Sequence, residues 1–417
     1  MPENFHIDMP EAVRNIIHTI EEHGFKAYAV GGCISDSILG RNPDDWDITT
    51  SAVPSQIKTF FKRTVDTGIA HGTVTIMIDK TGYEVTTYRI DGEYEDGRHP
   101  KSVEFSDRLV DDLCRRDFTI NAMAYNDTDG FVDEFKGLDD LDTKIIRCVG
   151  EPELRFTEDA LRMMRAIRFS AQLGFTIDEA TWNAIKKLSP SISKISMERV
   201  HVELGKTLMS AHPDYVAQYS EAGLFAPILP VIDNALKSRY KRKILATLQH
   251  TPDNIYLRYA ALFITSTPDE AAKTLRALKL DNKTVNTVSK LVELSKMDIE
   301  ETEPAVRTAL NKYGRDFLPL WHELMMAVIQ ASEDITGISN PAKVKHLLTL
   351  KRLGTDILAR GDCFTIKDLD ISGNDLIEYG LQGHEIGETL KSLLDIVIEN
   401  PKLNDKATLI AMIEHIK

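Results

Sequence analysis

The stretch Ala27–Thr50, "AYAVGGCISDSILGRNPDDWDITT", decides how this chain is read. A short apolar run ends in Gly31-Gly32, a helical-looking segment and a turn at Pro43 follow, and Asp45 and Asp47 then bracket Trp46 and lead into Ile48. On an extended strand, residues two apart share a face, so both carboxylates point one way and the tryptophan the other. Hard divalent cations take oxygen ligands, and magnesium is commonly held by one or two protein carboxylates together with substrate phosphates. A bare Asp-X-Asp is more often a solvated strand edge than a metal site. Here, however, a Gly-Gly turn, whose backbone N–H groups can approach a phosphate closely, stands thirteen residues before Asp45. A phosphate cradle followed by a carboxylate pair suits two-metal phosphoryl or nucleotidyl transfer, in which ions ~4 Å apart clamp the attacking and leaving oxygens.

Working outward, 417 residues are too many for one ordinary domain, and two to four are expected. With 42% hydrophobic and 27% charged residues the composition is that of a globular protein. A net charge of −14 argues against a chain coated all over with nucleic acid but leaves room for a local basic groove. Cys33, Cys114, Cys148 and Cys363 are scattered, with no CxxC pair, which suggests neither a zinc site nor a disulfide framework and fits a reducing cytoplasm. The N-terminus lacks a signal-peptide pattern, and no uncharged apolar run approaches the roughly 20 residues of a membrane span, so no membrane association is expected.

The first third reads as mixed α/β. Residues 11–23 form an amphipathic helix, "KAYAVGG" and "DWDITT" are strand-like, and residues 71–79 and 83–89 form a hairpin about "KTG". Residues 93–105, "EYEDGRHPKSVEF", read as a mobile loop, residues 109–126 as helix and residues 130–135 as a short strand. From residue 153 helical periodicity dominates, with breaks at Ser189-Pro190, Pro227–Pro230, Thr267-Pro268, Ser339–Pro341 and Asn400-Pro401. The fold class is therefore α+β: a small head with a mixed sheet, then a long all-helical remainder.

The Gly-Gly turn followed by "DWD" resembles the nucleotidyltransferase signature of the polymerase-β superfamily. "RRDFTINAMAYN" (115–126), "DEFKGLDDLDTKIIRCVGEPELRFTEDALRMMRAIRFSAQLGF" (133–175) and "MERVHVELGK" (197–206) narrow the resemblance to the class II tRNA nucleotidyltransferase and bacterial poly(A) polymerase family. The ending at 375–404 is similar to that of CCA-adding enzymes of Gram-positive bacteria. The resemblance implies a nucleotidyltransferase head (1–140), a helical neck (141–207), a body (208–340) and a tRNA-binding tail (341–417). It implies addition of C, C and A to the 3′ end of tRNA from CTP and ATP, with release of pyrophosphate. Asp45 and Asp47 would be catalytic and hold two magnesium ions, and Glu84 in "YEVTTYR" is a candidate third carboxylate. Gly31 and Gly32 would meet the triphosphate, and Arg116 and Asp117 of "RRD" the nucleotide. A homodimer is an allowed assembly.

"EDALRMMRAIRF" has physical content of its own. On a continuous helix, Asp159, Arg162, Arg165 and Arg168 fall on one arc at steps of three, opposite Met163, Met164 and Ile167. Three arginines in seven residues are costly to align without an anion to meet them. Cytosine and adenine both present an amine donor beside a ring-nitrogen acceptor, which an aspartate and an arginine complement. Guanine and uracil present the reverse polarity and would leave a buried charge unpaired. Asp159 and Arg162 would thus select the base, while Arg165 and Arg168 contact phosphates or stack.

The sequence also departs from the family pattern. The family usually reads GGxxRD after the first strand, whereas Ser35 stands here in place of the arginine, with Arg41 as a nearby substitute. No His-Asp pair occurs, and Ile264-Thr265 stand where some relatives carry one, so no metal phosphohydrolase activity is expected. The segment 93–100 resembles a loop that assists the switch from C to A and that CC-only members lack. The run Lys237, Arg239, Lys241, Arg242, Lys243 is either a tRNA-phosphate contact or a solvated helix face; His71, His99 and His384 receive no ligand role. The motifs are shared by A-adding enzymes and poly(A) polymerases, and Ser35 alone motivates a catalytically weak RNA-binding paralogue.

Overall fold

The computed structural model describes residues 6–92 and 102–416, which divide into two compact units meeting at Pro230 and Val231. In the first unit, α1 (Glu11–Glu22) buries Val13, Ile16, Ile17 and Ile20, the stripe its periodicity predicts. β1 (Ala27–Val30) is buried along its whole length; α2 (Gly32–Ile38) follows directly, and β2 (Asp47–Thr50) returns antiparallel beside β1, pairing Val30 with Asp47. α3 (Pro54–Phe60) and β3 (Thr64–Gly68) lead to the hairpin of β4 (Thr73–Ile78) and β5 (Thr81–Thr87). Its tight turn is Asp79-Lys80, both at positive φ, rather than the expected "KTG", because Ile78 pairs with Thr81.

β6 (Arg89–Asp91) pairs with β7 (Val103–Phe105), so the end of the expected 93–105 loop is a strand, while residues 93–101 lie outside the described residues. The single helix expected over 109–126 is corrected to α4 (Leu109–Cys114), a 3-10 turn (Thr119–Asn121) and β8 (Ala124–Asn126). The reason is partly local: Asp117 Oδ1 accepts from the Phe118 N–H and from Asn121 Nδ2, and side-chain–backbone bonds of this kind compete with helix. It is also tertiary, since β8 supplies the ladder that β1 needs on its second edge. β9 (Gly130–Val132) completes a mixed seven-stranded sheet in the order β3-β4-β5-β2-β1-β8-β9, in which β2 and β5 run parallel and the other pairs antiparallel. Tyr28, Val30, Tyr88, Leu113, Ala122, Ala124 and Val149 form a buried cluster against the sheet.

α5 (Gly137–Thr143) and β10 (Ile145–Ile146) lead to α6 (Pro152–Glu158) and α7 (Leu161–Leu173). β11 (Thr176–Ile177), α8 (Glu179–Leu188), α9 (Met197–Leu208) and α10 (Val216–Glu221) follow, with β10 and β11 forming a small parallel pair. α6 packs on α8 and α7 on α9.

The second unit is helical throughout its described elements. Its expected proline breaks coincide with helix starts: Pro268 and Pro341 take the first-turn positions of their helices behind Thr267 and Asn340, whose side chains cap the following backbone. The helix Lys241–His250 packs on Phe317–Thr336, whose Trp321 is buried and donates to the Leu294 carbonyl at 3.2 Å. Arg307 is 2% exposed and is met by Glu303 and by Asp362. Among the described residues no helix is long and apolar enough to cross a membrane.

Candidate active site

Gly31 sits between β1 and α2 with φ 88°, ψ −140°, a conformation closed to other residues; a Cβ there would lie 3.0 Å from Arg116 Nη1. The chain therefore passes from strand to helix with its backbone against that guanidinium. Trp46 is buried while Asp45 and Asp47 are exposed to the cleft, the alternation an extended segment requires. One detail differs from expectation: β2 begins at Asp47, so Asp45 sits in the extended approach to the strand rather than within it.

The parallel pairing of Ile48 with Val85 brings Glu84 alongside Asp47. Although its side chain opens to the cleft, the protein crowded around it partly desolvates the Asp47 carboxyl and raises it above its ordinary range, with Arg116 opposing the rise and Asp45 adding to it. Burial likewise raises Glu84, reinforced by Asp47 and then Asp45, so the three carboxylates sense one another. Among the described residues no three His, Cys, Asp or Glu side chains converge tightly enough to hold a metal ion on protein ligands alone. Two hard carboxylates opening into a cleft fit a divalent cation that completes its shell with other oxygens, such as phosphate.

Asp112, fully buried, accepts from Arg115 at 2.6 Å and from Arg116 at 3.2 Å. Burial pushes its carboxyl up, but the two guanidiniums outweigh that and hold it below the usual range. Asp117 is likewise pushed up by burial, yet Arg165 and Arg162 bring it down to about 2.

The helix expected to run through "EDALRMMRAIRF" is broken. Asp159 has φ −144°, ψ 105°, ends α6, and accepts the Leu161 N–H on Oδ1 at 3.0 Å. A short carboxylate bonding its own backbone two residues on is a common alternative to continuing a helix. Asp159 and Arg162 are therefore not neighbours on one helical face. Arg199 of α9 grips Asp159 instead, Nη2 to Oδ2 at 2.7 Å and Nη1 to Oδ1 at 3.3 Å. Arg162 pairs with Glu158 and donates to the carbonyls of Arg115 and Arg155.

The arginine row has its anions within the protein. Arg165 pairs with Asp117 at 2.6 Å, and Arg168 with Glu203 of α9 at 2.7 Å, while its guanidinium lies 3.9 Å from the centre of the Phe169 ring. Arg168 is 6% exposed, and burial lowers its pKa despite Glu203. Alignment of these cations thus does not itself require a bound phosphate.

All the anticipated residues nevertheless line two cavities that share part of their walls. A cavity of about 380 Å³ takes in Asp47, Glu84, Arg116, Asp117, Asp159, Arg162 and Arg165. A second of about 520 Å³ takes in Gly31, Gly32, Asp45 and Arg168 and shares Asp47, Arg116, Asp117 and Arg165 with the first. Ser35 also lines it, with Oγ donating to the Gly32 carbonyl at 3.0 Å, as does Arg41, 3.5 Å from Asp36. Sequence reading missed Arg115, Arg199 and Lys206 as lining residues, although Arg115 opens the quoted motif "RRDFTINAMAYN" and Arg199 and Lys206 fall inside "MERVHVELGK".

Residues 27–147 match the poly A polymerase head domain family, residues 174–236 the family described as "Probable RNA and SrmB-binding site of polymerase A", and residues 256–413 the tRNA nucleotidyltransferase domain 2 family. The CCA-adding enzyme of Pediococcus pentosaceus is 34% identical over 418 residues, covering 98% of both chains. That of Limosilactobacillus fermentum is 37% identical over 407 residues, covering 96% of this chain and 95% of the relative. In three dimensions the chain is similar to the Bacillus stearothermophilus CCA-adding enzyme in complex with CTP, with a TM-score of 0.76 at 31% identity and coverage of 97% and 96%. With relatives more than 30% identical over nearly the whole of both chains, the chain belongs to the family of CCA-adding enzymes, nucleotidyltransferases that as a family use a divalent metal.

Proposed function

We propose that this protein adds C, C and A to the 3′ end of tRNA, taking CTP and ATP as substrates and releasing pyrophosphate. The observation that carries this reading is the cavity that Asp47 shares with Asp159 and Arg162, adjoined through Asp47, Arg116, Asp117 and Arg165 by a second cavity that holds Asp45 and the Gly31-Gly32 turn. In this reading residues 1–140 are the catalytic head, 141–207 the neck that selects the nucleotide, 208–340 the body and 341–417 the tail that binds tRNA.

Asp45 and Asp47 would hold two magnesium ions, with Glu84 beside them. Bound there, the ions would supply positive charge to the phosphates and lower the pKa of the attacking 3′ hydroxyl. Gly31 and Gly32 bring backbone N–H groups to the triphosphate, and Arg116, held by Asp112, supplies a cation whose position is set before substrate arrives. Asp117 orients Arg165. Asp159 accepts from the exocyclic amine of cytosine or adenine and Arg162 donates to the ring nitrogen, so uracil and guanine meet like polarity. Arg168, committed to Glu203 and Phe169, supports this wall of the nucleotide site through packing.

The test uses three tRNA transcripts, ending before the first C, after one C and after CC, each with CTP, ATP or both. Full CCA synthesis on the first transcript is the expected result. Addition of A alone to the third transcript would assign an A-adding enzyme, long A tracts a poly(A) polymerase, and binding without incorporation an inactive paralogue.

A further inference from the structure

Arg199 has no part in the roles above, yet it makes the best-defined contact to Asp159. It lies on α9, 40 residues from its partner, and both side chains are mostly buried, 23% and 15% exposed. An ionised carboxylate offers about four acceptor positions, two on each oxygen. Three are in use here. Oδ1 takes the Leu161 N–H and Arg199 Nη1, and Oδ2 takes Arg199 Nη2. One accepting position remains, on Oδ2, and Asp159 and Arg199 both line the same cavity.

We propose that Arg199 is a positioning residue for base selection: by occupying both oxygens of Asp159 it leaves a single acceptor site on Oδ2, which accepts the amine of cytosine or adenine and repels the carbonyl of uracil or guanine. This rests on the reading of Asp159 as the group that faces the base. Without Arg199 the carboxylate keeps only its bond to Leu161 N–H and can rotate about its terminal torsion, which is broad for a carboxyl group. A rotating carboxylate still attracts an amine but presents no fixed acceptor to exclude a carbonyl. A bidentate guanidinium does this better than a lysine ammonium, which makes only a point contact.

The experiment measures kcat/KM for CTP and for UTP on full-length protein with a tRNA transcript ending before the first C. Wild type is compared with Arg199→Ala, Arg199→Lys, Asp159→Ala and the Asp159→Ala/Arg199→Ala double variant. The CTP-to-UTP ratio is taken within one preparation, so a partly unfolded sample lowers both rates and leaves the ratio unchanged. Arg199→Ala is expected to lower the ratio by roughly five- to thirtyfold, the factor equivalent to 1–2 kcal/mol. Arg199→Lys should fall between it and wild type, and the double variant should lose no more than Asp159→Ala alone. An unchanged ratio in Arg199→Ala beside a collapsed one in Asp159→Ala overturns the proposal and spares the reading of Asp159. An unchanged ratio in Asp159→Ala overturns both. Additive losses in the double variant would show Arg199 acting on the base independently of Asp159, and also overturn the proposal.

Discussion

Arg165 on α7 donates from Nε to Asp117 Oδ2 at 2.6 Å, tying the helix after the Asp159 break to the segment between α4 and β8. The pair gives one wall of the cleft a fixed charge pattern with no ligand present. Asp117→Asn should cost about 1.5–3 kcal/mol at neutral pH, the size of a hydrogen bond to a charged group. Because the folded pKa is depressed to about 2, below the ordinary 3.8, this stability is fully present above about pH 4. It is lost as pH falls through 2. Acid titrations followed by circular dichroism should therefore show a shallower loss of stability in Asp117→Asn than in wild type across that window.

The Asp47 carboxyl is shifted the opposite way: burial disfavours its charge, and Asp45 disfavours it further. Its ionised form thus works against folding until a cation answers it. Asp47→Asn should raise the metal-free melting temperature while abolishing addition of both C and A and leaving tRNA binding nearly intact. Wild type should gain melting temperature on addition of magnesium, and the variant should gain less. Scanning calorimetry with and without magnesium, beside an incorporation assay, checks this; a lower metal-free melting temperature in the variant would contradict it.

Ser35 faces the cleft with its hydroxyl turned onto the Gly32 carbonyl, while Arg41 stands nearby against Asp36. Ser35→Arg should lower KM for CTP and ATP alike, because a second guanidinium would meet the triphosphate, which both nucleotides share, by a charge-assisted contact. Arg41→Ala should raise both values together. Steady-state kinetics on each nucleotide separate this from base selection, which moves the two nucleotides relative to UTP rather than in step.

Arg239, Arg242 and Lys243 are exposed, and the Arg239 guanidinium lies over the Tyr240 ring at 5.0 Å. If this run meets tRNA phosphates, affinity should fall steeply with salt in spite of the net charge of −14. Each alanine substitution should then reduce the slope of log affinity against log salt by about 0.7–0.9. Filter binding over a salt series measures it, and an unchanged slope in the triple variant would return the run to a solvated helix face.

The sequence by itself determined what is local. Gly31 permits the positive φ of 88° that the strand-to-helix turn adopts, the alternation around Trp46 sends one side chain in and two carboxylates out, and Pro268 and Pro341 open helices because a first-turn residue needs no N–H partner. Those signals sit within a few residues of the features they specify, and with the quoted motifs they sufficed for the fold class and for many of the cavity-lining residues, though not for Arg115, Arg199 or Lys206. Only the tertiary structure decided which charges meet. Glu84 reaches Asp47 because β5 runs parallel to β2 after a hairpin, and "MAYN" is a strand because β1 has a second edge to satisfy. Asp159 leaves the helical arc and pairs with Arg199, 40 residues on, and the arginines of α7 find Asp117 and Glu203 rather than waiting for a phosphate. Helical spacing can place side chains on one arc, but it carries no information about a partner on another element. That choice follows from how whole elements pack and which buried charges must be answered.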